Sequence, residues 1–356
     1  MKICIFLPSI GYGGAEINLK RIGELLAKKG FKIVFVIAKN VRLEQTFKNQ
    51  ENLDYIFLNS KKTLSSFNKL RKTINQVKPN VVLSTLPTSN LMVVLLKYLK
   101  LIKCKVVVRE ANSNFLNWQG SMKNIIKKKL ALFTFNNSDG NIFISYELRD
   151  NVITNIKNEN NIVIYNPVLT EDFYIKANQE ILDLDLDLSD KEIWVTTSRL
   201  EHQKGLDILF NAAYKFMNVK NFILLIVGGG SLEDKYKKKY SDLPLKFIGN
   251  VDNPLKYLKI ADLFFFPSRR EGLGNSLIEA QILGKNIISS DCPSGPKEII
   301  ELFENGVLFE SENEEELVKV IKNFKIKDHN ISSQQTIRKF SVASTGKQYL
   351  EFLLKI

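Results

Sequence analysis

Histidine is almost missing from this chain: His202 and His329 are the only two in 356 residues. With no histidine cluster and no credible Asp-x-Asp pair, the sequence offers no ligand set for a catalytic metal. Cysteine is nearly as scarce. Cys4, Cys104 and Cys292 are scattered without paired spacing, which excludes a disulfide framework and a zinc site and fits a reducing compartment. Nine prolines, 44% hydrophobic and 25% charged residues exclude global disorder. Long apolar runs are also lacking: the most apolar stretch, 91–102, is broken by Lys97 and Lys100, short of the roughly 20 residues that span a bilayer. The opening MKICIFLPSIGYGGAE has too short an apolar run for a signal peptide. These features predict a cytoplasmic protein.

Acidic residues are in deficit, 38 against 51 Lys and Arg, a net charge of +13. Such an excess suits nucleic acid, or an anionic membrane surface with phosphorylated substrates. No helix-turn-helix, zinc-finger or RNP-type pattern is present, so nucleic acid is not the expected partner.

What the chain does have is alternation. Buried-strand runs at 2–10, 31–38, 52–58, 80–85 and 104–110 are mostly separated by helical patterns such as Leu64, Phe67, Leu70, Ile74 and Val77. The series restarts at 191–198 and continues at 221–230, 244–250, 261–268 and 284–291. Continuous apolar strands alternating with helices predict parallel sheets covered on both faces. The expectation is an α/β protein of two Rossmann-like domains facing across a cleft: 1–168, then 169–338, with a last segment, 339–356, forming a helix that packs back on the first domain. Residues 166–190 are the linker candidate. Asp183, Asp185 and Asp187 in that stretch resemble the start of a calcium loop, but Leu188 stands where glycine is required and Trp194 where the bidentate glutamate is required. A solvated acidic linker is the better reading.

Ligands of such sheets bind beyond the carboxyl ends of the strands. There, REGLGNSLIEA (270–280) predicts a loop and then a helix starting near Asn275. Gly272 and Gly274 let a phosphate approach the backbone, and the amides of Asn275, Ser276 and Leu277 at the helix start form an anion site. Glu279, one turn in, leans back toward the same place and suits a neutral diol; Glu271 can reach the group beyond the phosphate. TSRLEHQKGLDIL (197–209) places Arg199 at another strand end and Lys204 five residues on, a second anion site. In GYGGAE (11–16), Gly13 and Gly14 allow the other domain's backbone to close over the same diphosphate, without the dinucleotide-binding spacing.

In this order and spacing, GGAE, SRLEHQKG and the two glutamates of EGLGNSLIEA resemble the retaining glycosyltransferases of family 4, of GT-B fold. SDCPSGPKEI (290–299) is similar to members that assemble lipid-linked oligosaccharide, lipopolysaccharide or capsule. The resemblance implies a retaining, metal-independent transferase with no cofactor beyond its co-substrate, a nucleotide sugar, UDP-linked. It implies a hexose or N-acetylhexosamine donor of galactose or GalNAc type and a lipid-linked or surface-glycan acceptor. By it, Glu271, Arg199 and Lys204 are catalytic: Arg199 and Lys204 hold the diphosphate and Glu271 sits by the donor sugar. Glu279 takes the ribose, and the backbone of Gly272, Leu273, Gly274, Asn275, Ser276 and Leu277 takes sugar and phosphate. Many relatives carry a histidine after the strand that here reads CKVVVRE; this chain has REANSN (109–114). Glu16, Arg109, Glu110 and Asn112 are therefore the candidate acceptor contacts, Glu110 for the acceptor hydroxyl, with a structural Glu110–Arg109 pair as the alternative. A sugar-nucleotide 2-epimerase of the same fold and a non-catalytic sugar-nucleotide-binding protein are the competing readings.

Finally, WQGSMKNIIKKKLALF (118–133) aligns Met122, Ile125, Ile126, Leu130 and Phe133 on one helical face, away from Lys123, Lys127 and Lys128, with Phe115 and Trp118 upstream. This is either an interfacial membrane helix or a helix packed on its sheet, since both carry the same stripe. Lys61, Lys62, Lys69, Arg71 and Lys72 form a second basic set, placed to hold an acceptor diphosphate or to be solvated. The expected location is peripheral, on the inner face of the cytoplasmic membrane.

Overall fold

The computed structural model describes residues 1–10, 13–39, 47, 49–112, 122–182, 188–326 and 333–356. Phe115, Trp118, Asp183, Asp185, Asp187 and His329 lie outside the described residues, as do the first two residues of the GYGGAE turn. The chain divides into two compact units, Met1–Pro167 with Lys339–Ile356, and Val168–Arg338.

The first unit is built on seven parallel strands: β1 Lys2–Leu7, β2 Lys32–Lys39, β3 Leu53–Ser60, β4 Val81–Thr85, β5 Lys105–Glu110, β6 Gly140–Phe143 and β7 Asn161–Val163. Their order is β3-β2-β1-β4-β5-β6-β7. Parallel neighbours need helical crossovers that cover both faces, which is why β1, β2 and β4 carry almost unbroken apolar runs. The core joins Ile3, Ile5 and Leu7 to Ile33, Phe35, Leu83 and Val107 under the first helix, Gly14–Lys28, and to Tyr349 and Leu353 of the last helix, Val342–Lys355.

The second unit has six parallel strands: β8 Glu192–Thr197, β9 Phe222–Val227, β10 Leu245–Gly249, β11 Leu263–Phe266, β12 Asn286–Ser290 and β13 Val307–Phe309. Their order is β10-β9-β8-β11-β12-β13. Trp194 sits at its centre, stacked on Phe222 with ring centroids 4.1 Å apart and tilted against Phe265 at 5.0 Å. In each sheet the order reverses once, between β1 and β4 in the first and between β8 and β11 in the second. That reversal opens a crevice at the carboxyl ends of the strands.

Part of the stretch expected as a linker is folded. Phe173–Ala177 is a short helix that buries Phe173 and Ala177, so this part of the stretch is packed into the second unit. The last helix lies against the first helix, where a Cβ added to Gly346 would stand 2.2 Å from Leu25 Cδ2. Gly346→Val should therefore destabilise the fold by about 1–3 kcal/mol, read as a lower urea midpoint.

Candidate functional site

In the second unit the loops after β8 and β11 are zipped together. Arg269 N donates to Gln203 O and Gln203 Nε2 donates to Arg270 O, both at 2.8 Å. The Arg269 guanidinium grips Asp207 with two 2.8 Å bonds and donates to His202 O at 2.8 Å and to Glu312 at 2.9 Å. Hydrogen bonds from Arg269 hold the Asp207 carboxyl below its usual range, against the opposing effect of burial, which is the largest single influence on it. Gly205 closes the contact: at φ +64° it caps the helix Leu206–Tyr214, and a Cβ there would lie 2.0 Å from Pro267 O. Only glycine fits that approach.

The zipper sets Lys204 against Glu271, with Nζ and Oε1 2.5 Å apart and both side chains largely buried. Ser268 Oγ donates to the same oxygen at 2.6 Å. Glu271 Oε1 is thus engaged twice, while Oε2 has no partner among the described residues. Beyond Glu271 the chain turns through Gly274, at φ +84°, into the helix Asn275–Ile282, whose N-cap makes no side-chain hydrogen bond. The first amides of a helix have no partner inside it, so this N-terminus presents donors and the positive end of its dipole. Ser294 Oγ donates to Gly272 O at 2.8 Å and pins the preceding loop. Glu279 is one turn into the helix and partly exposed, as are Asn275 and Ser276, whereas Leu273 and Leu277 bury their side chains and can offer only backbone. Arg199 follows β8 with its side chain exposed. Beside it the hydroxyls of Thr197 and Ser198 are buried without a hydrogen-bond partner among the described residues, leaving polar capacity at this edge.

Sequence reasoning found the charges and missed what aims them. Ser268, Arg269 and Ser294 act across 3 to 67 residues of chain. Only the adjacency of Ser268 and Arg269 to Glu271 could have drawn notice.

In the first unit, Gly13 caps the first helix and Gly14 begins it. A Cβ on Gly13 would stand 2.3 Å from Glu16 Oε2; the anion lying over this helix start is therefore the protein's own carboxylate. Arg109, expected to touch the acceptor, does not reach a surface. It is 1% exposed and donates to Thr85 Oγ1 at 3.2 Å and Asn166 Oδ1 at 2.6 Å. It also lies beside the phenol of Tyr349, whose pKa burial pushes up and the guanidinium draws down. Along a strand successive side chains take opposite faces, so Arg109 joins the sheet to the last helix and Glu110 points the other way.

Glu110 ends β5, only 2% exposed. Its Oε1 accepts from the amides of Ala111 at 3.1 Å and Asn112 at 3.0 Å, and the carboxyl lines a cavity of about 490 Å³. Burial drives its pKa up to about 8, against the lowering influence of those amides and Arg109. Asn112 is partly exposed. Among the described residues no group of three or more His, Cys, Asp or Glu could hold a metal ion.

Two family models divide the chain between them. Residues 12–172 match Glycosyltransferase Family 4, and residues 180–339 match Glycosyl transferases group 1. An uncharacterized glycosyltransferase of Methanocaldococcus jannaschii is 36% identical over 119 residues, 31% of this chain and 29% of that protein. Over 338 residues, 90% of this chain and 89% of the relative, identity is 23% to a Campylobacter jejuni N-acetylgalactosamine-N,N'-diacetylbacillosaminyl-diphospho-undecaprenol 4-alpha-N-acetylgalactosaminyltransferase. The structure of Anabaena HepE in complex with UDP matches all of both chains with a TM-score of 0.80 at 18% identity, a likeness of fold. The chain belongs to the family 4-like glycosyltransferases of GT-B fold.

The folded state holds the Glu110 proton more tightly than the unfolded chain does. The stability this contributes is full below the ordinary carboxylate range and is lost as pH rises toward about 8. Wild type and Glu110→Gln should therefore melt alike near pH 4.5, with the variant the more stable by pH 8.5. Melting curves that fall in parallel would show Glu110 to be ionised throughout.

Proposed function

We propose that the protein moves a hexose or N-acetylhexosamine, of the galactose or GalNAc type, from a UDP-sugar to a lipid-linked or surface-glycan acceptor. On this reading the anomeric configuration is retained, and neither metal nor cofactor takes part. The observation that carries it is the Lys204–Glu271 contact of 2.5 Å beside a glycine-capped helix start. A sugar nucleotide needs this combination: cations and amides for the diphosphate, and an acceptor oxygen for the sugar. An arriving diphosphate competes with Glu271 for Lys204 Nζ. As it takes that cation, Glu271 stays anchored by Ser268 and offers Oε2 to a sugar hydroxyl. Arg199 and the amides of 275–277 take up charge as the leaving group departs. The UDP in the Anabaena complex and the diphospho-undecaprenol in the Campylobacter relative's name support the choice of donor and acceptor.

The acceptor side supports a membrane partner. The helix Met122–Asn137 buries Thr134 and Phe135 and leaves its first two turns outside the core, with Met122 74% and Ile126 52% exposed. Lys123, Lys127, Lys128 and Lys129 are exposed on the same turns. Apolar side chains ringed by lysines suit an anionic leaflet, where each cation contributes about 1 kcal/mol. No helix among the described residues is long and apolar enough to cross a membrane.

With EDTA in the assay, wild-type transfer should persist, while Arg199→Ala or Lys204→Ala should lower it by about 10²–10³ without unfolding the protein. Near-native rates in both variants would remove the donor assignment. Separately, Lys123, Lys127 and Lys128 changed together to glutamate should abolish sedimentation with anionic liposomes while donor hydrolysis in solution continues. High salt should do the same to wild type.

A further inference from the structure

The cavity that Glu110 lines does not resemble a sugar site. Its walls are mainly apolar, Leu64, Pro87, Leu91, Leu130, Ala131 and Phe135, with Thr88 and Thr134 set among them, and its volume of about 490 Å³ falls in the range of small-ligand pockets. Sugars are bound by converging hydrogen-bonding groups, and these are few here. Asn90, though on the wall, spends its amide on Ser84 and the Arg109 carbonyl. What the walls match is hydrocarbon.

Two further observations say which hydrocarbon. Leu130 both lines the cavity and stands 43% exposed, and one turn earlier Ile126 is exposed in turn, so the apolar wall runs without a break onto the stripe of Met122–Asn137. At that edge stands Lys127, a cavity wall residue exposed to solvent, with exposed Lys123 a turn before it. An apolar interior with cations at its rim is complementary to an amphiphile with an anionic head.

We propose that this cavity holds the hydrocarbon chain of a phosphorylated lipid, with the phosphate at Lys127 and the chain running inward between the helices Pro87–Tyr98 and Met122–Asn137 toward Glu110. The proposal rests on the glycosyltransferase reading only for its biological sense; the cavity and its rim stand without it. Chain and floor are compatible because Glu110, desolvated, favours its neutral form at neutral pH. The charged groups about it are Arg109 on its own strand, directed to the opposite face, and Lys127 on the cavity wall. Ionised, the same carboxyl would exclude hydrocarbon. Two sources share this chemistry, an isoprenoid diphosphate such as an acceptor carries and a membrane phospholipid.

The test is calorimetric titration of the intact protein, without donor, with farnesyl diphosphate, dihexanoylphosphatidylglycerol below its micelle concentration, and inorganic pyrophosphate. One or both lipids should bind at least tenfold more tightly than pyrophosphate. A preference for the isoprenoid assigns the chain to the acceptor, and a preference for the phospholipid assigns it to the membrane. Ala131→Trp, which fills the cavity, should weaken the preferred lipid at least tenfold with UDP binding unchanged. In the wild-type background the lipid affinity should fall as pH passes about 8, and Glu110→Gln should flatten that profile. Lipids that bind no better than pyrophosphate, or Ala131→Trp protein that binds UDP and lipid like wild type, would overturn the proposal. Because UDP binding and the Arg199 and Lys204 variants report on the donor side alone, a failure here is distinct from a failure of the transferase reading.

Discussion

Adjacent parallel pairing of β8 and β11, strands separated by more than sixty residues of chain, is the constraint on which the candidate site depends. Leu263 pairs with Trp194 and Phe264 with Val195, and everything beyond the carboxyl ends of those strands follows. Because β9 and β10 lie to one side of β8, and β12 and β13 to the other side of β11, the loops after β8 and β11 leave the sheet side by side at the reversal. The loops must satisfy each other, and they do so through Arg269, Gln203 and Gly205. Lys204 and Glu271 meet as a consequence. Their contact is less a source of stability than a resting state: a partly buried ion pair costs desolvation that Coulomb attraction roughly repays. On the proposed reading, a diphosphate that takes the lysine from Glu271 therefore forfeits little stability.

Glu110 and Glu271, both buried, show how differently one residue type can be surrounded. Glu271 has a cation at 2.5 Å and a hydroxyl at 2.6 Å on the same oxygen. Glu110 has two backbone amides and apolar walls, and there burial outweighs the amides. A sequence motif treats both as carboxylates at strand ends. Their chemistry diverges because β11 leads into a polar loop pinned by a neighbouring loop, whereas β5 ends beneath two helices.

That contrast explains which parts of the molecule could be read from residues alone. The long apolar strands were legible, β1 through β5 and β8 through β12, since each is a run that only a doubly covered parallel sheet can bury. β6, β7 and β13 were not, being three or four residues long, with polar residues such as Asn141 and Asn161 among them. That Lys204 and Glu271 lie beyond strand ends was legible because long apolar runs precede both. Ser268 and Ser294 were not, because a serine becomes a positioning group only when the fold brings a carboxylate or a carbonyl to it. The burial of Arg109 was hidden for a simpler reason: the period of two in β5 sends it to the face away from Glu110, so neighbours in sequence have opposite surroundings.

The helix Met122–Asn137 carries the same argument to the surface. Its stripe of Met122, Ile125, Ile126 and Leu130 has the periodicity of a helix laid on a sheet, so no pattern could separate burial from exposure. The structure separates them by where contact begins: Phe133 meets Tyr98 edge-on at 5.2 Å and Thr134 and Phe135 are buried, while the preceding turns stay outside the core. Exposed apolar side chains are ordinary singly; four on one helix, among four lysines, are a costly surface in water. The +13 charge of the chain is in part concentrated there. The diphosphate site proposed for the second unit would draw on Arg199 and Lys204 and has no need of the lysines of this helix. They make physical sense where anionic phosphate and hydrocarbon arrive together, and that is the chemistry of a lipid carrier.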